Sequence, residues 1–187
     1  MTRRYWFPKH YAEVVQRLRV TAGFGLLAAF LYFATPVPLT LMIGLPIAAL
    51  GLLLRAWAAG HLAKNEALAV SGPYAFTRNP LYLGSLIAAM GLALAGASLF
   101  LAILFPVVFL LVYYPVMEQE EQHLLNLFPD YGAYAARVPL LLPTAVPYGP
   151  AAGFQFRLYR RNEEYKALAG FLIAVAYLLW RAGLLSQ

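Results

Sequence analysis

A chain of 187 residues that is 62% hydrophobic and 12% charged is not an ordinary soluble domain, because soluble domains carry about 25% charged residues. Its net charge of +6 would suit nucleic acid in a soluble protein. With a mean hydropathy of +0.66 it reads instead as a topology signal with attraction to anionic headgroups, so no nucleic-acid partner is expected. The absence of cysteine excludes disulfides, thiolate catalysis and thiolate metal sites together.

Residues 1–19 are basic and polar, and no small-residue cleavage site follows the first apolar run, so no cleavable signal peptide is expected. Between Arg19 and Arg55 lie 35 uncharged residues. A membrane span takes roughly 20, and Pro36 and Pro38 mark a break, which predicts span one at 18–35 and span two at 39–59. A polar, turn-rich stretch, 71–84, follows. Then 39 uncharged residues separate Arg78 from Glu118 and fold as a hairpin through Leu94 to Ser98. Span three is predicted at 80–96, with Gly84, Ala88, Gly91 and Ala95 on one face, where another helix can approach closely.

Span four is predicted at 98–117, continuing as a helix out of the bilayer to about Phe128, where Pro129-Asp130-Tyr131-Gly132 breaks it. A short helix at 130–136 precedes Val138-Pro139 and Pro143. Residues 144–165 hold Pro147, Gly149, Pro150 and Gly153, then an aromatic and basic run. They read as an interfacial segment with Tyr and Arg anchors. Lys166 to Arg181 encloses 14 uncharged residues. The segment 166–185 is a fifth span in which Arg181 snorkels, or else a helix lying in the interface.

The apolar runs do not alternate, and lipid-exposed sheet edges are forbidden. The expected fold is therefore all-α: one integral membrane bundle of about five transmembrane helices over 1–187. Of the 14 Lys and Arg, 13 precede span one, follow span two or follow span four; Arg181 alone falls on the other side. The positive-inside rule then puts the N-terminus and both polar clusters in the cytoplasm and, with five spans, the C-terminus outside.

The two polar clusters are Ser71-Gly-Pro-Tyr-Ala-Phe-Thr-Arg-Asn-Pro-Leu-Tyr-Leu-Gly84 and Glu118-Gln-Glu-Glu-Gln-His123. A chain that concentrates its chemistry in two places is expected to bring them together. Asn79-Pro80 reads as an N-cap and first helical residue, and equally as a helix start offering free N–H groups to an anionic ligand. Tyr74 and Tyr82 suit an interfacial belt or a cationic ligand. Arg78 is a topology residue or a carboxylate clamp. Arg55 reads as a snorkelling end-of-span cation and His61 as a solvated residue with no metal-ligand spacing. Glu118 and Glu121 share a helix face, where like charges repel. They sit near the negative end of span four's dipole, so a cationic or diol ligand explains the cluster better than a solvated face.

Ser71-Gly-Pro-Tyr-x-x-x-Arg-Asn-Pro-Leu-Tyr-Leu-Gly, a two-span hairpin, then Glu120-Glu-x-x-Leu-x-x-x-Phe-Pro-x-Tyr-x-x-Tyr-x-x-x-Val-Pro resembles the isoprenylcysteine carboxyl methyltransferase family, to which phospholipid N-methyltransferases are related. The resemblance covers about 55–143 and leaves 144–187 outside. It implies S-adenosyl-L-methionine held at the cytoplasmic membrane surface and a lipophilic or lipid acceptor entering from the bilayer. By position, it implies a cofactor shell of Lys64, Glu66, Ala67, Leu68, Ala69, Tyr74, Asn79, Pro80, Leu81, Tyr82 and Glu120, with Arg78, Asn79 and Glu121 at the reacting end. The family commonly has His at the place of Asn79, polar or His residues near Glu66, and an Arg where this chain has Val116. That last departure argues against a free prenylcysteine carboxylate as acceptor and for an amine headgroup or a neutral hydroxyl or thiol. The competing readings are a nicotinamide-dependent membrane reductase and a non-catalytic membrane protein.

Overall fold

Small residues set the centre of the molecule. In the computed structural model, which describes residues 6–184, helices α2 (Pro38–Ala59) and α3 (Pro80–Ala95) lie almost in backbone contact. The stripe expected on α3 meets a matching stripe on α2. A methyl group added to Gly51 would stand 2.5 Å from the Gly84 carbonyl oxygen, and one added to Gly91 would stand 2.8 Å from the Ala48 Cβ. Such approach replaces the missing hydrophobic drive inside a bilayer with dispersion contact. Thr40 Oγ1 donates across the pair to the Ala95 carbonyl, 3.1 Å away.

Around this pair stand α1 (Lys9–Phe33), α4 (Leu99–Val108) and α5 (Tyr114–Leu127). α1 starts well before the expected residue 18. Pro8 precedes its first turn, and the polar residues 9–17 extend the helix rather than end it. Five residues of π-helix, Phe109–Tyr113, join α4 to α5, so that Leu99–Leu127 is one apolar helix of 29 residues. The cause is Pro115, whose ring crowds the carbonyl four residues back and offers it no N–H. That carbonyl, of Leu111, accepts a hydrogen bond from the Tyr11 hydroxyl at 2.8 Å.

Among the described residues, three helices are long and apolar enough to cross a membrane: Lys9–Phe33, Pro38–Ala59 and Leu99–Leu127. α3 is apolar but has 16 residues. The last helix, α8 (Tyr165–Arg181), has 17. Glu164 at its head bonds Arg55 of α2, and Leu178 near its tail packs in the core cluster with Leu41 of α2. Both separations are 14 residues (178 − 164 and 55 − 41), about 21 Å of helix. α8 therefore runs along the bundle instead of lying flat across its end. Arg3, Arg4 and residue 185 of the expected fifth span lie outside the described residues.

At one end the two uncharged turns meet, Thr35 N–H donating to Gly96 O at 2.8 Å. At the other end gather the loop 60–79, α6 (Tyr131–Arg137), the irregular run 138–155 and α7 (Phe156–Arg161). The interfacial segment expected at 144–165 is largely irregular, with exposed Phe154 and Phe156.

Candidate functional site

The loop 71–79 is held by the chain beyond α5. The Arg78 N–H donates to Pro139 O at 2.9 Å, Thr77 Oγ1 to Leu141 O at 2.9 Å, and the Tyr134 hydroxyl to Tyr74 O at 2.7 Å. In return the Thr144 and Tyr148 N–H groups donate to Phe76 O and Ala75 O, each at 2.9 Å. These bonds satisfy backbone groups that a buried loop would otherwise leave orphaned, and they fix where α3 begins.

The two polar clusters meet. Tyr82 in the first turn of α3 donates its hydroxyl to Glu120 Oε1 on α5 at 2.9 Å. One residue further along α5, Glu121 points the other way. It is buried against the Arg78 guanidinium and accepts from the Tyr131 hydroxyl at 3.0 Å.

Beside the Tyr82–Glu120 contact is a cavity of about 580 Å³. Of the expected cofactor shell, Lys64, Ala67, Leu68, Ala69, Tyr74, Asn79, Leu81, Tyr82 and Glu120 line it, as does Arg78. Three expected residues do not. Glu66 faces outward in an exposed pair with Arg161, 2.5 Å apart, whose guanidinium holds the carboxyl below its ordinary value. Pro80 is buried under the helix start, and Glu121 lies behind the cavity wall. Asn79 stands at the N-cap position without capping α3; its side chain donates to Leu140 O at 3.1 Å. The first turn of α3 thus has no side-chain cap, and Leu81 and Tyr82 in that turn line the cavity. Burial raises the Tyr74 and Tyr134 phenols above their ordinary range, so both stay protonated hydrogen-bond donors.

Two readings from the sequence are corrected. Arg55 does not snorkel. It turns into the bundle, lines the cavity, and forms a two-pronged pair with Glu164, Nε–Oε1 2.5 Å and Nη2–Oε2 3.1 Å, with its third nitrogen on Ser85. An ionisable residue in a span tends to find a partner, and the acid heading α8 was the available signal. His61 is buried, not solvated. Its Nδ1 lies 3.1 Å from Ser71 Oγ, and its ring packs near Trp57 and Phe154. Sequence reasoning also missed Arg19, Ser85, Tyr113 and Tyr131 as lining residues. Arg19 comes from α1 and reaches to 3.9 Å from Glu120.

Burial lowers the His61 pKa below 6.5. The unfolded chain then binds that proton more readily than the folded one. The contribution of neutral His61 to stability is full above pH 6.5 and is lost as pH falls through the lowered folded value. Thermal unfolding of the detergent-purified protein across that window is expected to show the loss, and His61→Gln is expected to flatten it. An equal slope in both proteins would contradict the assignment.

A cavity at one end of an apolar helix bundle, reached by side chains from α1, α2, α3 and α5, goes with an all-helical membrane protein. Residues 39–131 match the family model of phospholipid methyltransferases. That stretch carries Tyr74, Tyr82 and Glu120 but neither Arg19 nor Glu164. The chain is also similar to the cobalt-zinc-cadmium resistance protein CzcN of Cupriavidus metallidurans, 31% identical over 156 residues, covering 81% of this chain and 66% of that protein. It is similar to the nickel-cobalt-cadmium resistance protein NccN of Alcaligenes xylosoxydans, 33% identical over 104 residues, covering 54% of this chain and 47% of that protein. The chain thus spans about half to two thirds of the length of these relatives. No solved structure matches it.

Proposed function

We propose that the protein transfers a methyl group from S-adenosyl-L-methionine to a lipophilic acceptor, with the cavity facing the cytoplasm. The Tyr82–Glu120 contact inside the cavity carries this reading. A volume of about 580 Å³ falls within the usual range for cofactor sites. Glu120 suits the ribose hydroxyls or the ammonium group. The uncapped start of α3 suits the carboxylate. Tyr74, Tyr82 and Tyr113 offer aromatic surface to a sulfonium.

When bound, this cofactor supplies an electrophilic methyl group on a sulfonium centre. The residues would orient it and exclude water, which favours an in-line displacement in which the sulfonium charge passes to a neutral acceptor and leaves it as a proton. No protein nucleophile is required. The acceptor has its own approach. An apolar groove of about 290 Å³, lined by Leu26, Phe30, Leu86, Phe105 and Gly170 among others, shares Ser85 and Tyr113 with the cavity. A lipid chain lying there would bring its head to the cofactor.

The head is best an amine or a neutral hydroxyl or thiol. Val116, which replaces the family cation, is fully buried. Arg55 is engaged by Glu164 and Arg78 by Glu121. An unpaired buried carboxylate would be costly. An amine also agrees with the phospholipid methyltransferase match. The carboxylate acceptor of the isoprenylcysteine enzymes is the second reading, with Arg19 or Lys64 as its cation. For metal resistance, after which the two relatives are named, this reading places the effect in the methylated product.

Calorimetry on the detergent-purified protein with S-adenosylmethionine, S-adenosylhomocysteine and NADPH tests the cofactor. Binding of the first two is expected; binding of NADPH alone would establish a reductase instead. Glu120→Ala is expected to weaken S-adenosylmethionine by about 1.5–3 kcal/mol, the scale of a hydrogen bond to a charged group, or about 10- to 150-fold. Unchanged affinity in both Glu120→Ala and Tyr82→Ala would remove the assignment. Methylation of a farnesylcysteine analogue but not of phosphatidylethanolamine or a bacterial lipid extract would establish the carboxylate reading.

A further inference from the structure

A second pocket lies behind the cavity wall, on the far side of the Arg78–Glu121 pair. It measures about 380 Å³ and is lined by Trp6, Tyr114, Glu118 and Gln122 together with that pair and the end of α6. Glu118 is the anomaly in it. The residue is 7% exposed. Its Oε1 accepts from the Trp6 N–H at 3.1 Å, but among the described residues its Oε2 is buried with no hydrogen-bond donor. Neighbouring buried carboxylates are all satisfied: Glu121 by Arg78 and Tyr131, Glu164 by Arg55. A buried acceptor without a donor calls for an explanation, and for a carboxylate the cost of having none is large.

We propose that this pocket binds an organic ammonium group, with Glu118 as its counter-charge. The lining pairs a carboxylate with two aromatic side chains, the Trp6 and Tyr114 rings standing 6.5 Å apart at 72°. Carboxylate plus aromatic faces is the chemistry that receives an alkylammonium. An anion would meet Glu118 and Glu121. A divalent metal needs three or more protein ligands or a larger set of oxygens, and among the described residues no such group of His, Asp and Glu converges. Among the described residues, the two arginines at the pocket lie on other groups: Arg78 on Glu121, and Arg137 with its guanidinium carbon 5.9 Å from the centre of the Tyr148 ring. The ammonium group can belong to a lipid headgroup or to a free amine, since Glu118 sits where α5 leaves its apolar stretch.

The site is separate from the cofactor cavity, so it is tested by direct binding and does not depend on methyl transfer. Tetramethylammonium and choline are titrated calorimetrically into the protein held in a maltoside detergent, which carries no ammonium group. Binding is expected, weakened about tenfold or more by Glu118→Gln, the loss of one charge-assisted contact. Glu120→Gln, in the other cavity, is expected to leave it unchanged. Tyr114→Leu is the second variant should Glu118→Gln not fold, with the same loss expected. In nanodiscs, tetramethylammonium binding that persists in phosphatidylglycerol but is blocked in phosphatidylcholine identifies a lipid headgroup as the natural source. Persistence in both identifies a free amine. No binding to the wild-type protein, or equal binding in both variants, overturns the proposal. So does binding that appears only after Arg3 and Arg4 are changed to alanine, because Glu118 would then have its partner within the chain.

Discussion

Gly51→Val is expected to remove the folded protein from detergent extracts. The first added carbon would stand 2.5 Å from the Gly84 carbonyl oxygen and closer still to the Ala88 amide nitrogen. Both are backbone atoms of α3, which cannot rotate away as a side chain would. The helices must separate, and the Thr40–Ala95 bond and the close packing along the stripe go with them. Overpacking on this scale costs about 3 kcal/mol or more, a large share of a typical stability. Gly25→Val is the control. Gly25 lies on α1 with nothing within 4 Å of an added Cβ, and the variant is expected to fold. Size-exclusion profiles and thermal unfolding of the two side by side decide the matter. A monodisperse Gly51→Val protein with an unchanged midpoint would show that α2 and α3 are not held by this contact.

Glu121→Ala is expected to cost about 3–5 kcal/mol, because it takes the carboxylate from a guanidinium whose side chain is 2% exposed. The cost of breaking such a pair exceeds its worth, since the surviving charge stays buried. The double variant Arg78→Met/Glu121→Leu removes both charges and is expected to recover most of the stability. It also separates structure from chemistry. Arg78 lines the cavity as well as holding Glu121. If it also contacts the cofactor carboxylate, the double variant will fold yet bind S-adenosylmethionine more weakly. Full stability in the single variant would show that the pair does not anchor α5 to the loop. Full cofactor affinity in the double variant would confine Arg78 to a structural role.

Much of the helical architecture was legible because its causes are local. Uncharged runs bounded by Arg19, Arg55, Arg78 and Glu118 can only be satisfied by helices in an apolar medium, and the proline and glycine breaks fall where the helices end. The beginning of α1 was not legible. Polar residues 9–17 are as compatible with a helix as with a loop, and their helix is completed by contacts such as Tyr11 with Leu111, 100 residues away. The π-helical turn was hidden for a related reason. Pro115 signals a disrupted carbonyl, but not whether the chain kinks or bulges, and that depends on who receives the freed acceptor.

Composition, spacing and turn chemistry sufficed for the helical membrane bundle, the two polar clusters and fewer than half of the residues that line one cavity. How the acids divide depends on tertiary contacts. Glu118, Glu120 and Glu121 are near neighbours on one helix, yet helical geometry sends them to different surroundings: a pocket with aromatic walls, the cavity with Tyr82, and a buried arginine. The tertiary structure also turned Arg55 inward and Glu66 outward, through Glu164 and Arg161. Those partners lie 109 and 95 residues further along the chain. A charge at such a distance leaves no mark in local periodicity. What a buried ion does is fixed by the partners that folding brings within hydrogen-bond reach.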